Sequence, residues 1–221
     1  MAKEKSNPAR TTKKKSGSKK SSDSQSSSKP NSAGGNIDLR MAKAALDLAA
    51  QRGWGPLTLD EIATGAKVSA EEAERSFKRK DDVLPAIIAL FDAESAKARP
   101  DSRGSLHDRL FEVLMTRIDA LQAHRKAILD IMAEAKRHPQ VIAKLLPAHV
   151  RSMRLMLSLA GAKNSPWQEP FAITGLLAVY SLALCSWRKD TSSDLSKTMA
   201  GLDRHLHRAG SCAETIFRRL P

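Results

Sequence analysis

The side chains able to do covalent or metal chemistry are few, and their spacing is poor. Two cysteines, Cys185 and Cys212, form no metal-ligand or redox pattern, so a reducing compartment is expected and no disulfide. His205 and His207 lie two apart in a helical stretch and face different ways, which makes them a poor metal pair. His124 and His138 read as capping or surface groups near helix ends. No Gly-rich phosphate loop, His-Glu-x-x-His or Gly-flanked Ser elbow occurs. Enzyme chemistry, a metal and a cofactor are therefore not expected. Met132, Met153 and Met156, with Leu155 beside the last, read as core packing or as an adaptable pocket for a lipid-like ligand. The cations point elsewhere: 37 Lys and Arg against 24 Asp and Glu give +13 over 221 residues, which suits a polyanionic partner such as nucleic acid or an anionic membrane surface.

That charge is unevenly placed. Residues 1–36 hold nine Lys/Arg and two acids, a net +7; residues 37–84 hold eight and nine, a net −1; residues 85–221 hold twenty and thirteen, again +7. The first block is Lys- and Ser-rich, has no apolar run that could serve as a secretory signal, and cannot bury enough surface to order itself. It is expected to be disordered as far as Gly34-Gly35, either as a solubilising tail or as a salt-sensitive phosphate-binding arm.

The rest of the chain must position whatever binds, and its pattern is helical throughout. Hydrophobic residues reach 41% but aromatics only 4%, and no alternating strand pattern occurs, so an all-α fold is expected. A first helix over 37–52 puts Met41, Ala45, Leu48 and Ala49 on one face and stops at Gly53. Thr58-Leu59-Asp60-Glu61 and Ser69-Ala70-Glu71-Glu72 are two capping boxes. Two short helices thus meet across Ala66-Lys67-Val68, sharing Ile62, Ala63, Val68, Ala73 and Phe77, which is a helix-turn-helix pattern. A fourth helix starts near Asp82 with Pro85 in its first turn. Further helices are expected over 105–123, 126–137, 141–146 with a break at Pro147, 148–160, 170–188 and 193–209. The last carries a Leu195, Met199, Leu202, Leu206 stripe, which reads as bundle core or as a surface that holds a second subunit. The uncharged stretch 171–187 is just short of a bilayer span; a core or dimer-interface helix is expected there and no transmembrane segment. The organisation is then a tail over 1–36, a helix-turn-helix domain over 37–83 and a helical ligand-binding and dimerisation domain over 84–221.

Ala44-Ala45-Leu46-Asp47-Leu48, Gly53-Trp54, Leu57-Thr58-Leu59-Asp60-Glu61-Ile62-Ala63, Ala66-Lys67-Val68-Ser69, Phe77 and Lys80-Asp81 together resemble the N-terminal domain of tetracycline-repressor-type (TetR) transcriptional regulators. The cysteine usage points to a cytoplasmic location, and the resemblance implies a TetR-like fold, a homodimer and a third helix that lies in the major groove of DNA. It also implies a helical C-terminal domain that binds a small apolar effector or lipid. By position it makes Thr58, Ser69 and Lys80, with Lys78 beside it, phosphate-contact candidates. Ala70, Glu71, Arg75 and Ser76 become groove-facing candidates. Apart from that positional match, the ligand pocket is expected at Leu114, Ile118, Met132, Met153, Met156 and Phe171. The chain departs from the family at Glu72-Ala73-Glu74 and Ser76, where a Thr-Leu-Tyr run and a His are common; Glu71, Glu72 and Glu74 are expected to repel phosphates if they face them. A second resemblance covers about 177–206: Leu177-Ala178-Val179-Tyr180-Ser181, Trp187, Asp190-Thr191-Ser192-Ser193-Asp194-Leu195, Thr198 and Leu202-Asp203-Arg204 are similar to the ubiquinone-biosynthesis lipid-binding family. That family shares the fold and presents an isoprenoid lipid instead of reading DNA, which is the alternative expectation. The apolar and basic end at 216–220 reads as a frayed terminus or a membrane-touching segment.

Overall fold

The computed structural model describes residues 32–219, with side chains from 35 to 215. The expectations for the tail before residue 32 and for the side chains of 216–220 fall outside that range. Among the described residues there are nine α-helices and one 3-10 turn, with no strand: α1 (Ser32–Arg52), α2 (Leu59–Ala66), α3 (Ala70–Ser76), the 3-10 turn Lys80–Val83, α4 (Leu84–Ser95), α5 (Leu106–Ala123), α6 (Arg125–Arg137), α7 (Pro139–Leu159), α8 (Glu169–Lys189) and α9 (Ser196–Arg219).

Local chemistry explains most of these boundaries. Helix α1 ends where Gly53 takes φ 84, a left-handed conformation that glycine adopts without strain. Helix α5 opens on a third capping box: Asp108 N–H donates to Ser105 Oγ at 3.1 Å, and Ser105 N–H returns a bond to the Asp108 carboxylate at 3.2 Å. Gly161, at φ 66, closes the end of α7, with Ala162 N–H reaching Leu157 O at 2.9 Å.

Four boundaries differ from expectation. Helix α1 starts at Ser32, ahead of the expected onset at Ile37 and inside the stretch expected to be disordered as far as Gly34-Gly35. Helix α7 runs unbroken through Pro147. Proline removes one N–H and frees the carbonyl of Ala143, and both residues lie exposed, so water can take the unused bond. Helix α9 starts after Leu195, which sits just outside it at φ 54, and it runs on to Arg219, past the expected end at residue 209.

The helices bury one continuous core. Helices α1 to α3 close around Met41, Ala45, Leu46, Ile62, Ala63, Val68, Ala73 and Phe77. Helix α4 packs on α1 on one side and on α5 and α7 on the other, so it joins the helix-turn-helix unit to the rest. Helices α8 and α9 form the most extensive pair, closely approached where a Cβ on Gly201 would lie 3.0 Å from Ser186 Oγ. Leu195, Leu202 and Leu206 point into the protomer's own core, which corrects their expected role in a dimer; Met199 alone of that stripe is exposed.

Candidate nucleic-acid interface

Both expected capping boxes of the helix-turn-helix are formed. Thr58 N–H donates to the Glu61 carboxylate at 2.9 Å and Glu61 N–H to Thr58 Oγ1 at 3.2 Å. Ser69 N–H and hydroxyl donate to the Glu72 carboxylate at 3.3 and 2.8 Å, and Glu72 N–H returns to Ser69 Oγ at 3.3 Å. The Ser69 hydroxyl and backbone bonds hold the Glu72 carboxyl below its ordinary pKa, and the Thr58 backbone and hydroxyl bonds do the same for Glu61. Glu72 is therefore a helix cap.

The turn between α2 and α3 depends on Lys67, which caps α2 in the left-handed region at φ 55 while Val68 N–H bonds Ala63 O at 2.9 Å. From α1, Arg40 braces this turn: its Nε and Nη2 donate to Ala66 O at 2.9 and 2.6 Å, and Nη2 also reaches Lys67 O. Sequence inspection did not single out Arg40, because its acceptors lie 26 and 27 residues away.

Along α3 the candidates Ala70, Glu71, Arg75 and Ser76 are all exposed, with Ala73 buried behind them. Thr58 and Ser69, also exposed, carry the caps at the N-termini of α2 and α3. The three cationic candidates, Arg75, Lys78 and Lys80, are engaged within the chain. Arg75 pairs with Glu71 one turn back. Lys78 Nζ donates to Glu74 O at 2.8 Å. Lys80 is partly buried; its ammonium donates to Trp54 O at 2.9 Å and to Gly55 O, and stands 5.7 Å over the Trp54 ring. Trp54 N–H is held in turn by Asp130 of α6, which ties the α1–α2 loop to the helical domain.

In that domain, Leu114, Ile118, Met153 and Met156 are fully buried, Met132 is partly buried on α6, and Phe171 lies on the exposed face of α8 at 59% exposure. The six expected pocket residues thus divide between core and surface. The same domain holds a polar group whose members no sequence motif marks. Arg117, 2% exposed on α5, donates from Nε to Tyr180 Oη of α8 at 3.0 Å and from Nη1 to Asp92 of α4; Ser152 of α7 donates to the same Asp92 oxygen. Burial opposes the guanidinium charge, but the Tyr180 and Asp92 oxygens outweigh it and hold its pKa above the ordinary value. His149 of α7 lies nearby, and burial pushes its imidazole's pKa down. Four helices therefore meet at one ion pair, its guanidinium buried and its carboxylate partly so. A separate open groove of about 270 Å³ lies between the 3-10 turn and α7, lined by Asp81, Asp82, Pro85, Val141, Lys144 and Leu145.

Comparison with known proteins bears on this arrangement. No family model matches the chain. It is 25% identical over 125 residues to YvkB of Bacillus subtilis strain 168, described as an uncharacterized HTH-type transcriptional regulator; the match covers 52% of this chain and 66% of that protein's length. Among solved structures, a TetR transcriptional regulator from Nitrosomonas europaea superposes with a TM-score of 0.63 at 21% identity, covering 79% of this chain and 98% of that one. A TetR regulator from Rhodococcus sp. RHA1 gives 0.58 at 19%, covering 79% and 95%, and one from Streptomyces coelicolor 0.54 at 17%, covering 81% and 82%. The chain has the fold of TetR-type regulators, and the proteins it resembles are transcriptional regulators, not enzymes.

Proposed function

On the premise of that fold, we propose that the chain is a homodimeric, cytoplasmic DNA-binding transcription regulator whose helical domain answers to a small, largely apolar effector. The carrying observation is the doubly capped α2–turn–α3 unit, which leaves Ala70, Glu71, Arg75 and Ser76 exposed for a groove. In this reading Thr58 and Ser69 sit where two helix N-termini meet phosphates, with Lys78 and Lys80 beside them. Coupling runs through α4, which touches both α1 and the Arg117–Asp92 group. An effector lodged among α5, α7 and α8 that changes the hold on Asp92 shifts the population of α4 positions, and with it the spacing of two recognition helices in a dimer.

The experiment is a salt-titrated fluorescence-anisotropy assay on duplexes selected from a random pool by the purified full chain. A selected sequence bound at nanomolar order, well above scrambled DNA, is the expected result. Weak association that ignores sequence and vanishes with salt would overturn the proposal. The quinone-biosynthesis alternative is the weaker one, because the relatives named above are regulators and the helix-turn-helix caps are intact.

A further inference from the structure

We propose that His107, Asp203 and His207 form a binding site for a divalent transition-metal ion of the zinc class, joining the start of α5 to α9. One ligand atom from each residue lies within 4.8 Å of the others. A tetrahedral zinc ion with nitrogen and oxygen ligands needs its ligand atoms about 3.3 Å apart, so modest side-chain rotations close the shell. His107 is already set for it. Its Nδ1 stands 3.2 Å from the Asp108 carboxylate and its Nε2 3.3 Å from Asp203 Oδ1. A neutral imidazole has a single N–H and can donate to only one of its two neighbours; in the tautomer that donates from Nδ1 to Asp108, the Nε2 lone pair faces the oxygens of Asp203, an arrangement that a cation would satisfy. A carboxylate that fixes the far nitrogen of a histidine is the usual support behind a metal ligand.

The His207 ring lies against His107, centroids 4.5 Å apart, and supplies a third donor that a shared proton alone would not use. Asp203 and His207 are four apart on α9, hence on one face, whereas His205 faces elsewhere. Three protein ligands leave a position for water. Imidazole and carboxylate together favour zinc-class ions over calcium or magnesium, which prefer all-oxygen shells.

The test uses the untagged full chain, stripped with a chelator and titrated calorimetrically with Zn²⁺, with Mg²⁺ and Ca²⁺ as controls. We expect one equivalent of Zn²⁺ bound, at least tenfold weaker binding in each of His107→Ala, Asp203→Asn and His207→Gln, and unchanged binding in His205→Ala. Asp203 and His207 are exposed, so those two variants keep the fold even if His107→Ala does not. Affinities within twofold of the parent in Asp203→Asn and His207→Gln, or no Zn²⁺ uptake, would overturn the site.

Discussion

Glu71 and Arg75 neutralise each other on the exposed face of α3, so the recognition surface offers phosphates less positive charge than its composition suggests. Replacing Glu71 with Gln frees the guanidinium and removes one repulsive carboxylate. Added phosphate contact steepens the fall of log affinity with log salt, so Glu71→Gln should tighten DNA binding at low salt and increase the slope by about one. An unchanged slope would mean that this face does not meet DNA. In the helical domain the decisive residue is Arg117, whose removal strands Asp92 with an uncompensated charge. Breaking a buried pair of this kind costs about 3–5 kcal/mol. Arg117→Met should lower the denaturation midpoint accordingly, and adding Asp92→Leu should restore much of the loss. A double variant no better than the single one would show that packing, and not the charge, was responsible.

At the scale of elements, stability is concentrated where backbone and cap chemistry coincide. Lys67 takes a left-handed conformation that costs a side-chain-bearing residue about 1–2 kcal/mol, part of which glycine recovers against its greater unfolded entropy. Lys67→Gly should therefore stabilise the fold by about 0.5–1 kcal/mol, read from urea midpoints. The entry to α9 depends instead on Asp190, which is buried and accepts from Thr198 N–H and Oγ1, each at 2.8 Å, and from Ser192 N–H at 3.1 Å. The Ser192 and Thr198 bonds hold its carboxyl far below the ordinary value of 3.8. Folding thus lowers this pKa, so its stabilisation is complete above about 3.8 and is lost as pH falls through the folded value. The stability gap between the parent and Asp190→Asn, measured by urea unfolding at stepped pH, should be widest near neutrality and narrow on acidification. These elements were unequally legible in the sequence. The Thr58 and Ser69 boxes could be read directly, since a cap and its partner sit three residues apart and need no tertiary information. Arg40, Arg117 and His107 could not be assigned, because their partners come from other helices and periodicity carries no signal of which faces meet. Pro147 misled for the opposite reason: its local rule is sound, but an exposed position let α7 continue.

For the whole molecule, charge and symmetry decide how DNA would be held. Residues 1–31 carry nine Lys/Arg and two acids, so removing them should flatten the salt slope while leaving sequence preference intact. The second copy is a matter for α8, which by length and composition could cross a membrane. A helix apolar on all sides is one whose whole circumference is buried. Its inner face, Ile173, Leu176, Val179, Tyr180, Ala183 and Trp187, lies in the core, whereas Leu182 at 48% exposure, Phe171, Ala178 and Cys185 lie on the outer face, and Met199 of α9 is exposed as well. A second copy packing α8 and α9 against the same pair would bury that outer face by two-fold symmetry. Leu182→Glu should then give a folded monomer in sedimentation, with helical content unchanged. Leu202→Glu, placing its charge at a fully buried position, should unfold the protomer instead. The folded Leu182→Glu monomer has half the phosphate contacts of a dimer, so its salt slope should fall by about half. A Leu182→Glu protein that remains dimeric would place the interface elsewhere and leave the apolar outer face of α8 for another occupant.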